Sequence, residues 1–587
     1  MPDIADIKTA APSGAPPPAT AGARLSRRLP SDVATYLLLA VVAPVLLWFV
    51  LYPNIYVFIG SLIRQGRFTL ANYAEFFSSS AEIEAVTTSI LISIGSVILS
   101  GLIGVPLAFI FTRYDFPGRK IFGALASLPV LLPPLVGVIA FMFLYGESGI
   151  FTRSVQNLFG LSKPPFSLSG VWAILLVHAY SMYVYFYMFV SAGLERLSDV
   201  HSEAAASLGA SRFYIFRRVT LPMLGPSLIG ASLLVFMTSM ASFSAPFVFG
   251  GGVRVLSIQI LSSKLNGDLE LALVETVVLA SVSILFLFLL RWYEGKREYI
   301  AGTKGAAIAR QRVRSPLLRY AIGVIGILLV IILLLPHLTI ILISFVKDGA
   351  WTTQTLPPEY TLDNYLRLFA DRQFSAPIKN SILMSLAATA ANLVWGLVAA
   401  YLVARKRFFG RAAIEALLIL PWALPGTVLA LSLAETFSRN RFWAGQFVLV
   451  GTFWILPLAY FIRNIPLVVR AIQASFKQLD PALEDASANL GASWFYTMRR
   501  VVLPLVLPGA LVGSLLALVT AVGEFVASIV IYTYNNRPIS VEILSQLRQF
   551  NFGSAAAYGT FLIAIIAAMF LITQLLLRRD PSKGVVL

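Results

Sequence analysis

Apolar residues in this chain are gathered into long, nearly uninterrupted runs rather than into the stripes of an amphipathic fold. Twelve runs are long enough to cross a hydrocarbon layer of ~30 Å, which takes about 20 helical residues. They are expected near residues 35–62, 86–112, 120–145, 169–194, 224–250 and 269–291, and again near 318–345, 378–404, 412–436, 447–470, 506–532 and 555–577. Arg463 falls inside the tenth run, so the pattern defines that helix poorly. Residues 1–34 are rich in Ala, Pro and Gly and read as a disordered tail. The first run exceeds the h-region of a signal peptide and lacks a small-residue cleavage site, so a retained helix is expected.

The polar segments between the runs carry a duplication. Glu203 to Pro222 reads EAAASLGASRFYIFRRVTLP, and Asp485 to Pro504, 282 residues further on, reads DASANLGASWFYTMRRVVLP. Setting Gly209 on Gly491 also superposes Leu197 on Leu479, Arg217-Arg218 on Arg499-Arg500, Val219 on Val501, and Leu221-Pro222 on Leu503-Pro504. Each copy reads as a short helix, a break and a second short helix. Ser198-Asp199 and Asp480-Pro481 are N-terminal signals, and Gly209 and Gly491 stand where a helix ends in a left-handed residue. Ser211 and Ser493 can cap the second short helix of each copy. Ala204-Ala205-Ala206 and Ala486-Ser487-Ala488 give each first helix a small-residue face that another surface can approach closely.

The repeat extends beyond these loops. TLANY from Thr69 to Tyr73 matches TLDNY from Thr361 to Tyr365, Ser89-Ile90-Leu91 matches Ser381-Ile382-Leu383, and Leu128-Pro129 with Pro133 matches Leu420-Pro421 with Pro425, all 292 apart. Pro53 matches Pro336 at 283. The change in offset falls in the connection 146–168, which is ten residues longer than its counterpart. Two halves of six helices in the same orientation are expected, related by an axis along the membrane normal.

Composition agrees with a polytopic membrane protein: 58% of the 587 residues are hydrophobic and 12% charged. With no cysteine, disulfides and thiolate chemistry are excluded, and three histidines (His178, His201, His337) support no multi-histidine metal centre. The chain contains no G-x-x-x-x-G-K-[ST], H-E-x-x-H or G-x-S-x-G, so energy for uphill movement must come from a partner or an ion gradient. The net charge of +17 is a topology signal rather than a nucleic-acid footprint. With the N-terminus inside, about 30 of the 45 Lys and Arg fall on the inner side, among them Arg113, Arg119, Lys120, Arg405, Lys406, Arg407, Arg411 and the basic stretch 291–319. That orientation puts both duplicated loops on the cytoplasmic side.

The duplicated segment resembles the EAA loop of permease subunits of binding-protein-dependent ABC importers. Glu203, Ala204, Ala205, Gly209, Val219, Leu221 and Pro222 fall on that pattern. The second copy keeps Ala486, Gly491, Leu503 and Pro504 but has Asp485 and Ser487 where the pattern has Glu and Ala. Asp485 is one methylene shorter than Glu203, and Glu484 beside it is expected to be able to take its place. The resemblance covers roughly 35–578. It implies an all-α polytopic membrane protein of twelve transmembrane helices, as two parallel six-helix repeats of the type I ABC importer permease fold. The repeats would be 35–292 and 318–578, joined by a cytoplasmic linker 293–317 and flanked by cytoplasmic tails 1–34 and 579–587. It further implies a non-catalytic subunit of the bacterial inner membrane, docked through its loops to two copies of an ABC ATPase subunit that binds ATP and Mg. A periplasmic or extracellular binding protein would deliver the substrate, and no cofactor or metal is expected in this chain. ASFSAPFVFGGGVRVLSIQI, GEFVASIVIYTYNNRPISVEI and EYIAGTKG look most like the ferric-iron permeases, with thiamine, aminoethylphosphonate and polyamine permeases as other readings. The alternative class is an ion-coupled secondary transporter with twelve helices, which has no use for a duplicated loop and needs more ionisable groups in its core.

Ionisable residues inside apolar runs are costly and draw attention for that reason. Glu524 lies late in the eleventh run, and Ser242 holds the equivalent place in the first half. A carboxylate there suits a cationic substrate or a gate, or else a pairing with a neighbouring helix or a place already at the membrane interface. His178 stands among Tyr180, Tyr183, Tyr185 and Tyr187, which cannot all share one helix face; it either lines the path or packs. Glu275 and Glu435, near run ends, are expected to reach water, and His337 beside Pro336 is expected to be structural. Pro133-Pro134 marks either freed carbonyls along a path or a simple kink.

Overall fold

The computed structural model describes residues 33–197, 200–295, 311–312, 315–351, 354–440 and 446–578. The expected N-terminal tail up to residue 32, most of the linker, the C-terminal tail and the Ser198-Asp199 cap lie outside the described residues. Among those described, ten helices are long and apolar enough to span a membrane, and two bent pairs bring the number to twelve. The first half comprises α1 (Val33–Ser61), α2 (Ser80–Arg113), α3 (Pro134–Tyr145), α4 (Gly170–Arg196), α5 (Gly225–Met240) and α6 (Leu269–Gly295). The second comprises α7 (Pro316–Ile343), α8 (Arg372–Arg405), α9 (Arg411–Ala423 and Gly426–Thr436), α10 (Ile455–Gln478), α11 (Leu503–Val522) and α12 (Phe552–Arg578).

Several limits differ from the apolar pattern, each for a local reason. The third run is broken: a helix Arg119–Leu125 is followed by a tight turn Leu128–Leu131, and α3 restarts only at Pro134. Pro129 and Pro133 cannot donate to the preceding turn. At the matching place Pro425 opens the second limb of α9, which bends by 109°. α10 begins at Ile455, eight residues later than the pattern predicts, because the chain first turns through the left-handed Gly451. Arg463 is therefore well inside α10. α5 and α11 stop at Met240 and Val522 although the apolar runs continue. Three π-helical turns, Leu46–Leu51, Phe216–Thr220 and Met498–Val502, each end two residues before a proline (Pro53, Pro222, Pro504). A widened turn lets carbonyls deprived of the proline N–H find other partners.

The duplicated motifs make duplicated bonds. In TLANY, Thr69 Oγ1 accepts from Ala71 N, Asn72 Nδ2 donates to the carbonyls of Ser61 and Ile63, and Tyr73 Oη meets Ser61 Oγ at 2.7 Å. In TLDNY, Thr361 Oγ1 accepts from Asp363 N, Asn364 Nδ2 donates to Ser344 and Val346, and Tyr365 Oη meets Ser344 Oγ at 2.7 Å. Ser89 Oγ accepts from Leu256 N and Ser381 Oγ from Ile539 N, at 3.0 and 2.8 Å.

The halves interlock. Trp395 of α8 donates to Val41 O on α1, and Tyr180 of α4 donates to Leu333 O on α7. Close helix crossings use small residues, as membrane interiors require. On α4, a Cβ added to Gly193 would collide with Ser227 Oγ of α5; on α11, one added to Gly509 would collide with Ser475 Oγ of α10. Gly193 and Ser475 are equivalent by the 282-residue offset, as are Ser227 and Gly509. The two halves thus place the same glycine and serine on opposite partners.

Candidate coupling loops and translocation path

The loops take the local structure their residues call for. The helices Val200–Ser207 and Ala482–Asn489 are followed by Gly209 at φ 81° and Gly491 at φ 82°. Gly209 N donates to Ala206 O and Ala210 N to Ala205 O; Gly491 N donates to Ala488 O and Ala492 N to Ser487 O. This is the paired closure of a Schellman ending, which needs the left-handed residue. Ser211 and Ser493 then accept from Tyr214 N and Tyr496 N, both at 3.3 Å. Glu203, Ala204, Asp485 and Ala486 are exposed, and Ala205 and Ser487 half-buried; Ser487 Oγ bonds Thr497 Oγ1 at 2.8 Å. Leu221 and Leu503 are half-buried, while Pro222 and Pro504 are exposed.

Sequence reasoning missed the most exposed apolar groups of the two loops. Leu208 and Leu490 are each 89% exposed, and Phe213 and Phe495 are 70% and 67%. Their signal was available, since both pairs recur at the 282-residue offset as apolar residues in polar loops. Glu484 is not free to replace Asp485: its carboxylate lies 2.9 Å from Arg405 Nε at the end of α8.

On the side opposite the loops, the chain ends α5 and α11 in matching breaks. Phe243 and Phe525, equivalent by the offset and both buried, meet edge-on with centroids 5.8 Å apart, so the pseudo-two-fold axis passes between them. Each break is held by a later serine: Ser257 donates to Ser242 O and Ser540 to Glu524 O, both at 2.7 Å. These bonds replace the helical ones, which is why the helices stop within apolar sequence.

Around that shared frame the side chains differ. In the first half His178 Nε2 lies 2.8 Å from Ser242 Oγ, and Nδ1 lies 2.9 Å from Ser96 Oγ and 3.2 Å from Ser239 Oγ. Two of the three expected path residues therefore touch. In the second half Glu524 is apart from them and paired: Oε2 lies 2.8 Å from Arg463 Nε, and Oε1 accepts from Ala527 N at 3.0 Å. Gly426, at the bend of α9, leaves room for Arg463; a Cβ there would lie 2.7 Å from Nη1. Tyr460, equivalent to His178, bonds Ser528 Oγ at 2.8 Å. The tyrosines of α4 pack: Tyr183 and Tyr187 donate to the carbonyls of Ala126 and Gly123 in the broken third span. His337 is buried, with Nδ1 3.2 Å from Leu333 O, in a structural place. One expectation is overturned: Glu275 does not reach water. It is fully buried against Ser263 Oγ at 2.9 Å, because the helix Leu256–Leu265 folds back over that face of α6. Glu435 is half-buried. Among the described residues no cluster of three metal-ligating side chains occurs.

Two parallel six-helix repeats with matched loops on one side and paired phenylalanines at the axis on the other define a two-fold membrane permease. The family model described as "Binding-protein-dependent transport system inner membrane component" matches residues 100–299 and 392–579, most of both halves. A probable ABC transporter permease protein y4fN from Sinorhizobium fredii is 30% identical over 568 residues, 95% of this chain and all of the relative. A ferric transport system permease protein FbpB from Actinobacillus pleuropneumoniae is 26% identical, covering 89% of this chain and 75% of the relative. A sulfate transport system permease protein CysT from Salmonella typhimurium is 34% identical over 209 residues, 34% of this chain and 75% of the relative. The chain belongs to the binding-protein-dependent ABC importer permeases, with both membrane repeats in one polypeptide.

Proposed function

We propose that this permease couples to two copies of an ABC ATPase subunit through its two loops and passes ferric iron delivered by a periplasmic binding protein. The observation that carries the coupling is the matched exposure of Leu208 with Leu490 and Phe213 with Phe495 beside the small-residue helix faces. Burying such a side chain contributes about 1.5–3 kcal/mol, and two equal sites suit two equal partners. ATP and Mg belong to the ATPase; this chain is non-catalytic. The loops then face the cytoplasm together with both termini, as the cations favour, and the repeats run 35–292 and 318–578 about the linker 293–317. Ferric iron is supported by a relative matching across both halves, whereas the sulfate relative matches one third of the chain. Because Arg463 pairs with Glu524, that carboxylate offers a cation no unpaired charge, which suits selection by the binding protein.

The test combines Gly209→Val and Gly491→Val. A β-branched residue in the left-handed region costs about 1–2 kcal/mol, and nothing lies near either added Cβ, so the loop alone is perturbed. Membrane insertion is expected to persist while stimulation of the co-expressed ATPase is lost; undiminished stimulation rules out the coupling role. Proteoliposome uptake of labelled ferric iron against labelled sulfate, with the cognate binding protein and ATP, decides the substrate. Uphill uptake on a proton or sodium gradient without ATP would favour a secondary transporter.

A further inference from the structure

The two coupling helices are held to the membrane body by different chemistry. At the second, Arg405 ends α8 and reaches three elements. Its Nε pairs with Glu484 Oε1 on the helix Ala482–Asn489 at 2.9 Å, an ion contact without the alignment of a hydrogen bond. Its Nη2 donates to Leu479 O at 2.9 Å, and its guanidinium lies over the Phe476 ring of α10 at 5.8 Å. One turn back on α8, Tyr401 donates to Glu484 Oε2 at 3.4 Å and accepts from Trp494 Nε1 at 3.1 Å. Both carboxylate oxygens of Glu484 thus face α8, and Tyr401 also reaches the segment that leads into α11. The Arg405 and Glu484 side chains are only 14% and 21% exposed, so water screens the pair far less than a surface ion pair.

The first half keeps the arginine, as Arg113 at the end of α2, but not the tyrosine and carboxylate grouped with Arg405. The same register places Phe109 for Tyr401, Leu194 for Phe476, Ser202 for Glu484 and Arg212 for Trp494. Phe109 instead meets Phe216 edge-on at 5.4 Å. An edge-on aromatic contact carries no charge and holds a helix less firmly than a carboxylate gripped from two sides.

We propose that Arg405, Tyr401 and Glu484 are positioning residues that make the second coupling helix a rigid extension of α8, α10 and α11. Nucleotide-driven motion of that helix then passes directly to the transmembrane helices it is clamped to. This rests on the reading of the loops as ATPase docking sites. Of the two acidic residues at the start of the second coupling helix, Glu484 serves the body and leaves Asp485 to the partner.

The chain contains no cysteine, so spin labels can be attached at Leu265→Cys and Phe550→Cys, 75% and 72% exposed on the side opposite the loops. With the co-purifying ATPase bound in lipid nanodiscs, ATP and Mg are expected to shift the label separation. Glu484→Gln should retain the ATPase but reduce the shifted population about threefold or more at fixed ATP. The exchange Arg405→Glu with Glu484→Arg should restore it, and Ser202→Ala should leave it unchanged. A wild-type shift in Glu484→Gln overturns the proposal. Loss of the ATPase from Glu484→Gln also overturns it, because Glu484 would then be a docking residue. An unsubstituted chain that retains no ATPase overturns instead the docking reading beneath it.

Discussion

The glycine and serine exchanged between the halves make a sharp test, because the protein already contains both arrangements. In Gly193→Ser the new Cβ would lie 3.1 Å from Ser227 Cβ and 3.0 Å from Leu224 Cδ2, against 3.4 Å for ordinary contact. The helices must part by a few tenths of an ångström, and Ser227 Oγ, which the new atom strikes directly, must rotate away. Overpacking of this size costs about 1–3 kcal/mol. The gain in helix propensity on replacing glycine, up to about 1 kcal/mol, offsets part of it. A net loss of about 1–2 kcal/mol is expected from Gly193→Ser. Ser227→Gly alone should lose a few tenths to about 1 kcal/mol through propensity. Made together they reproduce the second half's Ser475 and Gly509, and the double variant should return to within about 1 kcal/mol of the original, a coupling of about 1–2 kcal/mol. Thermal unfolding of the purified permease in nanodiscs, followed by tryptophan emission, completes the cycle. The coupling segment leaves α4 just after Gly193 and re-enters α5 just before Ser227, so ATPase stimulation should follow the same order. A double variant no more stable than Gly193→Ser would refute the reading, since the contact would not then be what sets the two residues.

The ion pair at the axis allows a similar transplant: Arg463→Ser with Glu524→Ser installs the first half's Ser181 and Ser242. Either single change strands a largely buried charge and should destabilise by about 1–3 kcal/mol, while the double change should cost less than Glu524→Ser alone, read by the same thermal midpoint; singles as stable as the double would mean that the pair contributes nothing. At the loops, Glu203→Ala should weaken retention of the ATPase more than Asp485→Ala, because the aspartate reaches about 1 Å less far. Pull-down at low and moderate salt checks the ranking, and equal losses refute it. Since Glu484 is occupied by Arg405, combining Asp485→Ala with Glu484→Ala should add a loss of coupling rather than a further loss of docking.

What the sequence reveals here is what the backbone decides locally. The span pattern, the left-handed glycines and the serine caps all follow from residues within a few positions of each other, and the two-fold repeat follows from comparing such local segments. The TLANY and TLDNY matches were visible as letters, and the bonds of Asn72 and Asn364 give their reason. What was hidden depends on partners far along the chain. Apolar sequence runs straight through the ends of α5 and α11, because the bonds that stop them come from Ser257 and Ser540. Arg463 could be read as misplaced until Glu524, 61 residues later on another helix, is seen beside it. Glu275 looked like a helix-end residue, and only the fold-back of Leu256–Leu265 buries it.

The places where the two halves agree and differ also sort by what each must meet. If the loops dock two copies of one ATPase, as proposed, the grooves are identical and the groups entering them gain from matching; Leu208 and Leu490 are equally exposed. A substrate on the axis is single and faces both halves at once, so nothing requires the lining to be symmetric. There the frame is shared, with Phe243 against Phe525 and a serine holding each break, while the polar groups diverge into a histidine–serine cluster and an arginine–glutamate pair. The clamp at Arg405 lies between these zones: Arg113 repeats its arginine, while Phe109 and Ser202 stand in place of Tyr401 and Glu484. A fused chain permits that difference, because its halves are always made in a one-to-one ratio and in a fixed arrangement. In a homodimer of identical permease subunits, any clamp on one side would also be present on the other.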